Sequence, residues 1–414
     1  MSKIDYLRRQ QVQEYENGDV EASAATGEIL LKEHWHIRNF WTKGYANDLY
    51  NLACVYDELE NLERAAELYS DSARQIVVVE GEGVAFAKRL SGLAMVLSRL
   101  GAPEPAFFML GSVAAIYQRD LGTHNATYAD SLYNLANIAA DLGQNIDALR
   151  FHQDALRIRE ALGDTADAIN SFHSIAFLYE ALEDFDNAAS YAETALTLIG
   201  EQDDDYPGAC NYLAGIYEHA GRQEDALSLY DKVLEIIRRE IGREHSAYLN
   251  VAYRRANLLA QMERHREALD SHEEVRYIFK NISGTKHIFY ANCLRNMAIL
   301  HKSLGETVAA ESLMLESIKI RRISSDDITA DIIFLIRLYI LNHENEKALE
   351  ALIYALMRSD SNAPEFSALI SALTETFAQP GNAITDFIQA MEVLNDRAKL
   401  RPIINKWTAW EVEE

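Results

Sequence analysis

Apolar and small residues recur along the chain with two superposed periods, a helical one within segments and a longer one of about forty residues between segments. Aligned on alanine, a first column runs through Ala53, Ala94, Ala136, Ala176, Ala214, Ala256 and Ala298, with Ile336 in the eighth place. Twelve residues after each member stands a second alanine: Ala65, Ala106, Ala148, Ala188, Ala226, Ala268, Ala310 and Ala348. A third column, seven further on, is small or β-branched throughout: Ser72, Val113, Ala155, Ala195, Val233, Val275, Ser317 and Ala355. Side chains this small at fixed places let helix axes approach to about 8 Å.

Leu49, Leu90, Leu132, Phe172 and Leu294 lie one turn before the first column, and Tyr56, Tyr179, Tyr217 and Tyr339 lie three residues after it. Together they form the apolar stripe of a first helix. Gly101, Gly143, Gly221 and Gly305 fall seven residues after the first alanine, where a left-handed glycine ends one helix before the next begins. The second helix then carries the other two columns. The pattern predicts an all-α fold of about eight helix-turn-helix repeats over residues 47–358. Residues 1–46, with a helical pair from Ile4 to Lys32 turning at Asn17 and Gly18, and residues 359–414, with helices broken at Pro380 and Gly381, are predicted to cap the two ends.

These three columns resemble the tetratricopeptide repeat. The copies LYNLANIAADLGQNIDALRFHQDALRI and LRNMAILHKSLGETVAAESLMLESIKI resemble the longer repeats of kinesin light chains and their bacterial relatives. So do the linkers, where Gly242 to His245 reads G-x-x-H and Gly284 to His287 repeats it 42 residues later. The resemblance implies a right-handed α-α superhelix whose first helices line a concave groove. Packing is expected to differ at repeat six, where Arg255 replaces a large apolar residue, and at repeat eight, where Ile336 replaces the alanine.

On a helix turning about 100° per residue, the positions six and two before and one and five after the first alanine share the side opposite the apolar stripe. Nine of these 32 positions are asparagine: Asn47, Asn51, Asn134, Asn137, Asn170, Asn250, Asn257, Asn292 and Asn296. With 23 asparagines in 414 residues, fewer than two belong there by chance. A carboxamide both donates and accepts, which suits it to holding the backbone of an extended peptide whatever its side chains. Kinesin-light-chain-like grooves use such a ladder, and the resemblance extends that use to these positions. The same carboxamides could instead bond one another and tie the stack together.

Charge along the stripe is uneven. The first three repeats place Glu58, Lys88, Arg99, Asp130 and Asp141 on it, and the last three only Arg254 and Arg337, with Arg295 and Lys302 at its edge. This basic end is expected either to receive a carboxylate from the partner or to neutralise nearby surface acids. Tyr212 and Phe177 in mid-stripe are candidates for pockets that take apolar ligand side chains, whereas Tyr50, Tyr133 and Tyr253 are nearer to core positions. The chaperone-binding clamp of some tetratricopeptide proteins needs basic groups where this chain has Tyr253, Ala330 and Phe334, although Asn257 and Asn296 match it. That partner is not expected.

A net charge of −25 disfavours nucleic acid and anionic membranes as partners. No apolar segment follows Met1, and the most apolar run, Ile332 to Leu341, is short and contains Arg337, so neither a signal peptide nor a membrane span is expected and the chain reads as cytoplasmic. Cys54, Cys210 and Cys293 are odd in number and widely spaced, as reduced thiols are. His34 and His36 flank Trp35 on diverging helix faces and do not make a metal site by themselves. No phosphate loop, dinucleotide turn, metalloprotease helix, nucleophile elbow or kinase signature occurs, so neither catalysis nor a cofactor is expected.

Two function classes follow. The first is a scaffold that binds an extended peptide or protein segment. The second is a ligand-responsive regulator, similar to the peptide-pheromone receptors of Gram-positive bacteria, acting through a partner protein. About 45 residues precede the first clear repeat, too few for the helix-turn-helix domain with which such receptors bind DNA.

Overall fold

A computed structural model describes residues 2–37, 40–323 and 328–344, together with residues 347, 348, 350, 351 and 354. The helices expected over 359–414, and the third-column Ala355, lie outside the described residues. The described residues form 17 helices and no strand, divided between two compact units, Met1–Ala220 and Gly221–Glu414.

The first unit contains α1 (Lys3–Glu16), α2 (Val20–His36), α3 (Lys43–Glu58), α4 (Leu62–Glu80), α5 (Val84–Arg99), α6 (Pro103–Leu121), α7 (Ala126–Asp141), α8 (Asn145–Leu162), α9 (Thr165–Ala181), α10 (Phe185–Ile199) and α11 (Tyr206–His219). The second contains α12 (Gln223–Glu240), α13 (Ser246–Gln261), α14 (His265–Ser283), α15 (Ile288–Ser303), α16 (Thr307–Ile323) and α17 (Thr329–Leu341). Within each unit every helix packs against the next in sequence, as a solenoid of helix pairs requires. Burial explains the columns: all eight first-column residues and all eight second-column alanines are fully buried. Ile336 is as buried as the alanines it replaces. Arg255 keeps its charge at the surface, bonding Asp231 at 2.5 Å and Ser271 at 2.9 Å.

The turn inside each repeat is more uniform than its sequence. Gly101, Gly143, Gly221 and Gly305 have φ between 73° and 82°, and in the other four repeats Glu60, Glu183, Glu263 and His343 take the same left-handed place at 58° to 59°. The hydrogen bonds match as well. Gly143 N and Gln144 N each donate over 2.8 Å to Ala140 O and Ala139 O, and Glu183 N and Asp184 N over 2.9 Å to Glu180 O and Tyr179 O. Both are the double bond that closes a helix C-terminus. The G-x-x-H linkers also resolve into mechanics: Gly242 and Gly284 are left-handed, and His245 and His287 are N-caps whose Nδ1 accepts from Ala247 N and Phe289 N.

The pair α1 and α2 obeys the same spacing with different chemistry. Gln11 lies 42 residues before Ala53, left-handed Gly18 seven after it, and Ser23 and Leu30 in the second and third columns. Gln11, Ser23 and Leu30 are all buried. Ser23 Oγ donates to the Gln11 carbonyl at 3.0 Å, which satisfies a hydroxyl where other repeats bury only a methyl.

Candidate functional site

None of the 32 stripe positions is buried, so the expected binding positions are accessible in both units. Their carboxamides fall into two groups. Asn296 Nδ2 donates to Asn257 Oδ1 at 2.8 Å and to the Tyr253 hydroxyl at 3.0 Å, the one asparagine-to-asparagine rung among the described residues. Asn47 Oδ1 accepts from Arg89 Nη2 at 2.5 Å, and Asn292 Oδ1 accepts from Arg321 Nη2. The side chains of Asn51, Asn134, Asn137, Asn170 and Asn250 have no hydrogen-bond partner among the described residues.

The arginines that hold Asn47 and Asn292 belong to a recurring buried junction that the apolar columns conceal. Twenty-three residues after the first-column position, α2, α8 and α16 carry His34, Arg159 and Arg321; each reaches the residue five before the next alanine column, namely Asp48, Ser171 and Asp331. Asp48 is 1% exposed, accepts two 2.7 Å bonds from Arg8 and meets His34 Nε2 at 2.8 Å. Arg159 donates to Ser171 Oγ at 2.8 Å and Asp130 Oδ1 at 2.8 Å. Arg89 fills the corresponding gap between the first two repeats from the other side, donating to Ser72 Oγ at 2.8 Å. Buried charges persist only where they are paired in this way.

The same junction changes the reading of the basic end. Arg295 Nε lies 2.9 Å from Oδ1 of the buried Asp331, and Arg321 Nε 3.3 Å from Oδ2, so Arg295 already has a carboxylate from its own chain. Arg254 lies over the Tyr230 ring at 5.3 Å and Lys302 over Phe334 at 5.3 Å. Arg337 is exposed with no partner among the described residues. Arg295, Lys302, Phe334 and Arg337 border a cavity of about 390 Å³ in the second unit.

The aromatic positions also separate. Tyr50, Tyr133 and Tyr253 pack their rings on Tyr69, His152 and His272 of the following helix, with centroids 5.6, 4.9 and 5.5 Å apart, and so belong largely to the core. Phe177 is 61% exposed. It borders a cavity of about 450 Å³ with Asn137, Asp141, His152, His173 and Tyr212, all in the first unit. A further cavity of about 580 Å³ is bordered by Asn47, Tyr50, Asn51, Lys88 and Arg89. The structure thus brings Asn137, Phe177 and Tyr212 together and sets Asn47 beside Asn51.

Sequence reasoning missed the histidines. His152 and His272 stand four residues after the second-column alanine in repeats three and six, buried, with His152 Nδ1 and both nitrogens of His272 unpartnered. Burial pushes both down to about 4, Arg159 adding to the effect at His152. Their shared offset was the available signal. His173 is lowered by burial against the opposing pull of Asp205.

Among the described residues no three metal-ligating side chains converge, and His34 is committed to Asp48. The cysteines form no disulfide, and burial raises the Cys293 thiol to about 12. No described helix is long and apolar enough to cross a membrane.

A family profile for the tetratricopeptide repeat matches residues 83–161, 127–201, 208–276 and 248–323, together more than half of the chain. No curated protein matches. Solved structures do. The C-terminal part of a repeat-containing protein of Cytophaga hutchinsonii is 15% identical over 66% of this chain and 95% of its own, with a TM-score of 0.51. A Podosopora anserina protein described as a kinesin light chain with nearly identical repeats is 20% identical over 49% and 99%, at 0.45. BtubC (BKLC) from P. vanneervenii is 18% identical over 57% and 91%, at 0.43. At such identities the first of these speaks for the fold alone.

Proposed function

Because the chain belongs to the tetratricopeptide repeat family, typically non-catalytic scaffolds that bind other proteins, we propose that it holds an extended segment of a partner against the outward stripe of its first helices. The observation that carries this reading is the set of five stripe asparagines whose carboxamides are accessible and have no partner of their own. Each has a donor and an acceptor to offer a passing peptide unit, which gives affinity without dictating sequence. Asn257, Asn296, Asn47 and Asn292 stiffen the scaffold instead. In the second unit an acidic group of the partner would meet Arg337 and Lys302 rather than Arg295.

Capture from the native proteome tests the stripe. Asn51→Ala, Asn134→Ala and Asn250→Ala combined should lose the bound proteins with an unchanged melting temperature, because none of the three serves the fold. Retention of the same proteins places the binding face elsewhere. Arg337→Glu should separately weaken any acidic ligand.

A further inference from the structure

We propose that the cavity walled by α7, α8, α9 and α11 receives an arginine side chain of the bound segment. This deepens the stripe reading and rests on it. The cavity offers ring faces and the unused acceptors of Asn137 and Asp141. Phe177 stands at its rim, 61% exposed, and His173 and Tyr212 line it with ring centroids 5.9 Å apart. His152, 1% exposed, lines the cavity with an Nδ1 that has no partner. Asp141 is exposed with no ion pair among the described residues, and Asn137 beside it is unbonded.

The stretch of chain that builds these helices is strongly acidic. Residues 101 to 220 contain 19 acidic and 4 basic side chains. All four basic ones are already paired: Arg119 with Asp120, Arg150 with Asp147, Arg157 with Asp154, and Arg159 with Asp130. Arg159 also lies over the Tyr133 ring at 4.6 Å. Burial holds His152 and His173 below the usual imidazole range, so the walls bring no cation of their own at neutral pH.

Four candidate occupants can be separated chemically. A carboxylate would face Asp141. An aliphatic side chain would cover Phe177 but leave the acceptors of Asn137 and Asp141 unmet, and unmet polar groups are costly once desolvated. A guanidinium satisfies both demands, because its plane stacks on aromatic faces while its edge carries five donors. Lysine has the charge but is a compact, strongly hydrated group that stacks less well.

The test uses four fluorescein-labelled glycine–threonine peptides that differ only in a central arginine, lysine, norleucine or glutamate, with binding to the full chain read by anisotropy at low salt. Arginine should bind about tenfold or more tighter than norleucine, with lysine between them and glutamate weakest, as a charge-assisted site predicts. Asp141→Asn should cost about tenfold. Phe177→Leu should cost several-fold, while Phe177→Trp keeps or improves binding because indole is the best face for a cation. A simple apolar socket would not produce that order. Norleucine binding as tightly as arginine, indifference to Phe177→Leu, or no binding by any of the four peptides overturns the proposal. Selection for norleucine that disappears in the triple asparagine variant removes the arginine and leaves the stripe. Arginine binding that survives that variant keeps the cavity and removes the backbone ladder.

Discussion

Repeats three and six, one in each unit, place a histidine at the same step of the second helix and set a tyrosine ring edge-on to it from the first, yet the two pairs have different surroundings. In repeat three, His152 borders the space walled by Phe177 and Tyr212. In repeat six, His272 is wholly buried beneath Tyr253, itself held by Asn296. The units also differ in charge. The first carries 35 acidic and 15 basic residues, the second 29 and 24. Alanine columns and left-handed turns are common to both, so the scaffold is fixed by buried packing positions and by the turns between helices. Chemistry is set by the few side chains around them. This division is what lets a repeat fold be reused.

The buried junctions give the comparison its largest test. Arg159 in the first unit reaches a hydroxyl and a half-exposed carboxylate, whereas Arg321 and Arg295 in the second share one fully buried carboxylate. Asp331→Ala should therefore cost about 3 kcal/mol, since it strands buried positive charge. Ser171→Ala should cost about 1 kcal/mol, because Arg159 keeps Asp130 and the Asp167 carbonyl. Amide hydrogen exchange in α15 to α17 and in α7 to α9 reads each loss locally. Equal losses would mean that the two junctions do the same work.

Acid should act through the paired histidines. Their folded pKa of about 4 lies below the ordinary imidazole value of about 6.5. The unfolded chain therefore takes up these protons first: stability is intact above pH of about 6.5, falls as the pH drops, and levels off below about 4. Each histidine can account for up to about 3 kcal/mol of that fall. His272→Leu should flatten the second unit's acid limb and also remove two unpartnered nitrogens. In the first unit, an arginine-bearing peptide in the cavity should protect against acid by keeping His152 neutral. An acid limb unchanged in His272→Leu assigns the loss to carboxylates instead.

How much of this was readable beforehand depended on side-chain size. Alanine columns and accessible asparagines were legible because packing and exposure each leave a periodic trace. The register of α1 and α2 was hidden because Gln11 and Ser23 occupy the alanine columns, the Ser23 hydroxyl being satisfied by the Gln11 backbone carbonyl. Asp331 and Arg159 are buried charged residues that no apolar column marks. Their burial depends on a partner some tens of residues away, and no local pattern records it. Of the two expectations for the basic end, a partner's carboxylate or an acid of the chain itself, Arg295 meets the second in Asp331.

The smallest effect separates what glycine does in the turns from what the sequence merely tolerates there. At a φ of 58°, Glu263 takes the left-handed place that Gly143 fills at 73° in repeat three. A side chain with Cβ pays roughly 1 kcal/mol or more for that conformation. Part of this is recovered because glycine loses more freedom on folding. Glu263→Gly should then stabilise the second unit by about 0.5 kcal/mol, and Gly143→Ala should destabilise the first by about 1 kcal/mol, both from urea midpoints at unchanged slope. If Glu263→Gly destabilises instead, the glutamate side chain contributes a contact that outweighs the strain. The non-glycine turns would then be selected features of repeats one, four, six and eight rather than tolerated ones.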